Sequence, residues 1–233
     1  KTAYAIMPSL VGSEMCIRDR AATMLDGNWR SVVDRSLTPI GRSLHRAGVT
    51  ADAVTVIGII MAAGASVTIG LGYLRLGFAL LVLTGVPDAL DGPVAKASGT
   101  ASPRGAFFDS VSDRLTDALL LGGVAWYLAG LRPGHLVMLP VAVLVLSLLI
   151  SYQRAKAESL DLNAKGGLME RAERFIVLAI GLLFPEALIE VLWLMLVLSA
   201  ITAVQRFIKV WRQAVSYTHL RAHETRHDLV CRL

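Results

Sequence analysis

Cysteine is all but absent: the 233-residue chain has two, Cys16 and Cys231, both close to its ends. A disulfide framework, a thiolate metal site and dithiol redox chemistry are therefore excluded from its body. Charge is scarce as well. Asp, Glu, Lys and Arg make up 18% of the residues against 55% hydrophobic ones, where soluble domains carry roughly a quarter charged. That balance excludes an ordinary soluble enzyme and a disordered chain alike. The net charge of +5 has a membrane explanation, given below, and calls for no nucleic acid. No cleavable signal-peptide pattern is visible. What the chain has instead is long uncharged runs. Val54 to Leu74 and Leu136 to Gln153 contain no charged residue, and crossing a hydrocarbon core of about 30 Å takes about 20 helical residues.

The two ends differ in character from the rest. Met7 to Arg20 (MPSLVGSEMCIRDR) and Val215 to Leu233 resemble translated sequencing-adapter text, so residues 1–20 and 215–233 are set apart as extensions. The tail contains His223-Glu224-Thr225-Arg226-His227, formally a zinc-protease H-E-x-x-H motif. It lies beyond the last apolar span with no third ligand in view, and is read as coincidence.

Between the ends, the pattern predicts an all-α integral membrane protein. Residues 21–53 form a juxtamembrane segment. Within it Val32, Val33, Leu37, Ile40 and Leu44 oppose Arg30, Arg35, Arg42 and Arg46, an amphipathic helix suited to the headgroup layer. Residues 54–214 form one membrane domain of six spans, near 54–74, 77–97, 105–131, 135–157, 170–185 and 187–211. Apart from Arg75 and Arg132, every Lys and Arg between Trp29 and Arg212 then falls on the N-terminal side. By the positive-inside rule that side is cytoplasmic, for both termini and for the site described next.

Four acidic residues carry the chemistry. Asp88 and Asp91 are i, i+3 near the end of the second span, and Asp109 and Asp113 are i, i+4 near the start of the third. Each pair shares one helix face. The short connection Ala97 to Arg104 makes the two helices antiparallel neighbours, so the carboxylates converge. Four ionised carboxylates in a low dielectric repel one another unless a cation lies between them. Hard oxygen ligands suit Mg²⁺ or Mn²⁺, and two such ions commonly serve phosphates. Gly92 and Gly105 leave room there for a ligand to approach the backbone, although packing glycines are also common between membrane helices. A transporter of divalent cations is the rival from another class; all four Asp lying in one half of the membrane speaks against a path across it.

Asp88-Ala89-Leu90-Asp91-Gly92-Pro93-Val94-Ala95-Lys96, a spacer of eight, and Gly105-Ala106-Phe107-Phe108-Asp109-Ser110-Val111-Ser112-Asp113 resemble the signature of the CDP-alcohol phosphotransferases. That signature reads D-x-x-D-G-x-x-A-R, about eight residues, G-x-x-x-D-x-x-x-D. Lys96 stands where it has Arg, which keeps the charge and loses the bidentate fork. Asp117, one turn beyond Asp113, lies outside the signature and reads as an internal hydrogen-bonding group. The resemblance implies that Asp88, Asp91, Asp109 and Asp113 hold two divalent ions and that Asp113 is also the base. It further implies that cytidine diphosphate lies over Asp88, Gly92, Ala95 and Lys96, with Gly105 facing it.

The stretches Ser151 to Glu158, Gly166 to Arg174 and Val204 to Arg206 look like those of the actinobacterial members that make phosphatidylinositol phosphate. This narrower likeness implies a homodimer and an acceptor-phosphate pocket built from Arg154, Arg174 and Arg206, with Ser151 and Lys156 nearby. The residues alone lead to the same place. Arg154, Arg171, Arg174 and Arg206 fall at the cytoplasmic ends of spans four to six, level with the carboxylates, as a reaction between two phosphorylated substrates requires. Arg171 and Lys165 read equally well as interfacial anchors. The expected reaction, in a bacterial cytoplasmic membrane, moves the phosphatidyl group of CDP-diacylglycerol to inositol 1-phosphate and releases CMP. Glycerol 3-phosphate is the alternative acceptor, since a basic cluster suits either phosphate.

Overall fold

The structure, a computed structural model, describes residues 50–85, 102–131, 134–164 and 166–230, with residues 216–230 described by backbone course alone. Six α-helices and two short 3-10 helices, His135–Val137 and Pro185–Ala187, occupy these residues and no strand does. We number the α-helices α1 (Ala51–Gly70), α2 (Leu74–Gly85), α3 (Pro103–Leu131), α4 (Met138–Glu158), α5 (Arg171–Leu183) and α6 (Leu188–Val230). Each of the six expected spans coincides with a helix over its described residues; of the second, 77–97, only the part up to Gly85 is described. The amphipathic juxtamembrane segment near 29–47 lies outside the described residues.

Local chemistry sets the boundaries. Thr50 caps α1, its hydroxyl accepting from the Ala53 N–H at 3.2 Å, with Asp52 in the first turn, both favourable at the positive end of a helix. Gly72, at φ 89°, ends α1 and turns the chain straight into α2, a conformation side chains disfavour. Between α5 and α6, Pro185 forces Phe184 out of helical geometry, to φ −113° and ψ 81°. α5 is consequently 13 residues long, about 20 Å. Among the described residues, three stretches are long and apolar enough to cross a membrane: Asp52–Gly70, His135–Glu158 and Pro185–Val215. α3, at 29 residues, has the length, about 43 Å, but carries ionisable groups through its first half. The chain is a membrane protein. Its outer surface presents Ile60, Val67, Phe107, Val145, Ile176, Val197 and Val204, apolar area of the kind a lipid environment covers favourably.

α3 is the hub. It packs along α1, and it also meets α4, while α6 closes against α4 and α5. The α1–α3 contact is close because Gly123 lies against the backbone of Ser66; a Cβ there would sit 2.6 Å from the Ser66 carbonyl oxygen. Gly70 faces the Trp126 ring in the same way. Around this crossing, Ala65, Ile69, Leu81, Leu120, Leu121, Val124, Val143, Leu182, Leu192 and Met195 form one apolar core. The start of α1, the ends of α2 and α4, and the starts of α3 and α5 gather at one end of the bundle. An Arg104–Asp52 ion pair of 3.4 Å bridges α3 to α1 there.

Candidate active site

The charged end of the bundle contains a cleft of about 340 Å³, its open mouth included. Thr55, Gly58 and Ile59 of α1 form one wall, and Asp109, Ser112, Asp113 and Thr116 of α3 form another. Thr84 of α2 and Arg171 and Phe175 of α5 complete it. The helical repeat explains the α3 wall: 109, 112, 113 and 116 recur at i, i+3, i+4 and i+7, so one polar stripe of an otherwise apolar helix turns inward. Asp109 and Asp113 thus share the cleft, as their spacing predicts. Their partners in the signature, Asp88 and Asp91, lie outside the described residues, as do Gly92, Ala95 and Lys96. Among the described residues no three acidic, His or Cys side chains gather closely enough to hold a metal ion. The donors present fit a hard divalent cation in kind: two carboxylates and several hydroxyls, all oxygen, with neither thiol nor imidazole among the lining residues. Gly105 opens α3, its N–H accepted by the Ser102 hydroxyl at 3.2 Å.

Beside the carboxylates runs a ladder of alternating charge. Arg171, at the start of α5, donates from Nη1 to Asp113 Oδ1, and its Nε lies 3.6 Å from Asp117 Oδ1. One turn on, Arg174 reaches Asp117 Oδ2 at 3.3 Å and the Met169 carbonyl at 3.3 Å. Asp117 is 8% exposed and Arg174 6%, so this pair is buried and mutually compensated. Asp117 therefore does act within the protein, accepting a hydrogen bond from Arg174 and forming a longer ion pair with Arg171. Sequence reasoning gave Arg171 no settled role. The available signal was the match between two acids at i, i+4 on α3 and two guanidiniums at i, i+3 on α5.

The residues expected to bind the acceptor phosphate divide into two groups. Arg206 is 4% exposed and holds the segment before α5: it donates to the carbonyls of Ile150 at 3.0 Å and Gly166 at 3.2 Å, and meets Glu170 Oε1 at 3.4 Å. Its Nε is buried without a hydrogen-bond partner among the described residues. Arg154 and Arg174 are near enough to act on it electrostatically. Arg154 itself is exposed and paired with Glu158 at 2.9 Å, Lys156 is exposed and Ser151 is half-buried. Glu170 is an acid the sequence reading passed over; its carboxylate also accepts the Gly166 N–H at 3.1 Å. Thr202 and Gln213 of α6 fasten the same segment. Thr202 Oγ1 accepts the Met169 N–H at 3.0 Å, and Gln213 exchanges two hydrogen bonds with the backbone of Asn163.

Known proteins resemble this chain over most of its length. The family profile described as CDP-alcohol phosphatidyltransferase matches residues 48–211. The chain is 38% identical over 192 residues to the phosphatidylinositol phosphate synthase of Mycobacterium marinum, covering 78% of this chain and 82% of that one. A crystal structure of the Mycobacterium tuberculosis phosphatidylinositol phosphate synthase with CDP-DAG bound superposes with a TM-score of 0.71 at 36% identity, covering 76% of this chain and 94% of that one. The same enzyme in complex with manganese and citrate also matches, with a TM-score of 0.71 at 36% identity, covering 75% and 88%.

Proposed function

The chain belongs to the CDP-alcohol phosphatidyltransferase family and is a membrane transferase of phospholipid synthesis, and we propose that it transfers the phosphatidyl group of CDP-diacylglycerol to inositol 1-phosphate, yielding phosphatidylinositol phosphate and CMP. The observation that carries this reading is the opening of Asp109 and Asp113 onto one cleft at the charged end of the bundle, beside Arg171 and the buried Arg174. That relatives of 36–38% identity are phosphatidylinositol phosphate synthases supports the acceptor.

In the proposed reaction the lipid donor keeps its acyl chains in the bilayer beside the apolar outer belt while its pyrophosphate enters the cleft. Asp88, Asp91, Asp109 and Asp113 hold two divalent ions, Mg²⁺ or Mn²⁺; these supply charge neutralisation at the pyrophosphate and ease departure of CMP. Asp88, Gly92, Ala95, Lys96 and Gly105 seat the cytidine diphosphate. Asp113 accepts the proton of the acceptor hydroxyl, whose oxygen attacks the phosphorus bonded to diacylglycerol as the bond to CMP breaks. Arg174 and Arg206, with Arg154, Ser151 and Lys156 at the mouth, receive the acceptor's phosphate, the dianion needing several fixed cationic donors. The site faces the cytoplasm of a bacterial cell and the protein works as a homodimer.

The test is an acceptor screen with purified protein, CDP-diacylglycerol and Mg²⁺, following CMP release. Inositol 1-phosphate should support turnover, and free inositol, lacking the phosphate, should support little. Preference for glycerol 3-phosphate, or equal use of free inositol, would overturn the acceptor while leaving the phosphotransfer chemistry intact.

A further inference from the structure

We propose that Arg171 is a latch on Asp113 that an incoming divalent ion must open, and that Asp117 is a positioning residue that governs this latch by holding the Arg171 guanidinium from its other side. The inference rests on the reading of Asp113 as a metal ligand. Asp113 has two carboxylate oxygens to offer a cation. Oδ1 takes the Arg171 Nη1 donor, while Oδ2 has Arg114 Nη1 at 3.7 Å. Arg114 is committed elsewhere, to the carbonyl and, at 2.8 Å, the hydroxyl of Ser110 one turn back along its own helix. Among the described residues, Arg171 is therefore the cation that most directly competes for Asp113 Oδ1. A guanidinium and a divalent ion compete for the same carboxylate oxygen and repel each other, so a metal ion that takes Oδ1 displaces Arg171.

The geometry provides somewhere for it to go. Asp117 Oδ1 is already 3.6 Å from Arg171 Nε, and Asp117 is itself fixed because its other oxygen meets Arg174, which is tied in turn to the Met169 carbonyl. The Phe175 ring carries the guanidinium carbon 5.1 Å above its centroid, a surface across which a planar cation turns while keeping its attraction to the ring. Asp113 and Asp117 are one turn apart on α3. Rotation of one side chain thus exchanges a partner in the cleft for one beneath it without stranding a charge, a two-position arrangement in which the ion and Asp117 act together against the Asp113–Arg171 contact.

Mn²⁺ affinity of the detergent-solubilised full chain, measured without substrates by the electron paramagnetic resonance of free Mn²⁺, tests this directly. Arg171→Gln should bind Mn²⁺ about tenfold more tightly, the scale of one charge-assisted hydrogen bond. Asp117→Asn should bind it several-fold more weakly. The decisive measurement is the double variant. If Asp117 acts through Arg171, Asp117→Asn adds nothing in the Arg171→Gln background, whereas a mere field effect of the two charges would add. Additive effects, or a wild-type affinity in Arg171→Gln, would overturn the latch. Arg171→Lys keeps the charge and loses the two-sided fork; it should shift affinity in the same direction as Gln and serves should Gln fail to fold. Asp113→Asn separates the two levels of the argument. If it binds Mn²⁺ like wild type, the metal reading of Asp113 is wrong; if it binds weakly while the Arg171 variants remain at wild type, the latch alone fails.

Discussion

Replacing Gly123 with Ala should loosen the protein, and replacing its neighbour Gly122 should not. A Cβ on Gly123 would lie 2.6 Å from the carbonyl oxygen and 2.8 Å from the Cα of Ser66, both backbone atoms of α1. Backbone inside a helix cannot swing away as a side-chain tip does, so α1 and α3 must separate by a large part of an ångström. Overpacking of this kind costs about 1 to 3 kcal/mol, which in a domain of this size lowers the melting midpoint by about 2 to 12 °C. Gly122 is exposed and a Cβ there meets nothing within 4 Å. Ala at that position gains up to about 1 kcal/mol of helix propensity and should leave the midpoint level or slightly raised. Asp113 is about 15 Å further along the helix, yet the crossing sets the gap between Thr55 and Ile59 on α1 and Asp113 on α3, so turnover of Gly123→Ala should fall as well. The assay is thermal unfolding in one detergent for wild type and both variants, with CMP release on the same preparations. Equal midpoints for the two variants would refute the claim that this contact sets the spacing of the cleft walls.

Asp113→Asn should abolish most CMP release while CDP-diacylglycerol binding persists, whereas Asp91→Asn should slow turnover and raise the metal concentration needed; wild-type rates in either would remove the mechanism. Arg174→Gln should raise the KM for inositol 1-phosphate by about one to two orders of magnitude, the scale of a lost charge-assisted hydrogen bond, with that for CDP-diacylglycerol unmoved. It should also lower the melting midpoint by leaving Asp117 short of a partner, and adding Asp117→Asn should restore the midpoint but not the KM. A chain trimmed to residues 21–214 should insert and retain activity, since the site lies in α1 to α5 and the part of α6 before Ala214; a large loss would show that the final turns of α6 contribute.

The sequence by itself determined a good deal here. Uncharged runs longer than a soluble helix needs allow only a membrane solution, because a buried backbone must satisfy its own hydrogen bonds. Periodicity placed Asp109 and Asp113 on one face of α3, since a 3.6-residue repeat is a property of the helix and not of its neighbours. The spans read from hydropathy run through Gly72 to 74 and on to 185, whereas α1 ends at Gly70 and α5 at Leu183. The positive φ of Gly72 and the ring of Pro185 stop a helix that hydropathy alone would continue. The tertiary structure decided what faces what. Arg171 and Arg174 lie 54 or more residues from the acids they pair with, and no local rule says which of α3's carboxylates each will find. Arg206, legible in the sequence only as a basic residue at the end of a span, also reaches the carbonyls of Ile150 and Gly166 because α4 and the segment before α5 converge on α6. Glu170 and Gln213, polar residues of no evident pattern, become fastenings of that segment. Gly123 reads in sequence like any other glycine of α3, yet it alone of the pair meets Ser66. Helical periodicity is written in adjacent residues, whereas charge pairing and close approach depend on the relative placement of helices, which packing settles.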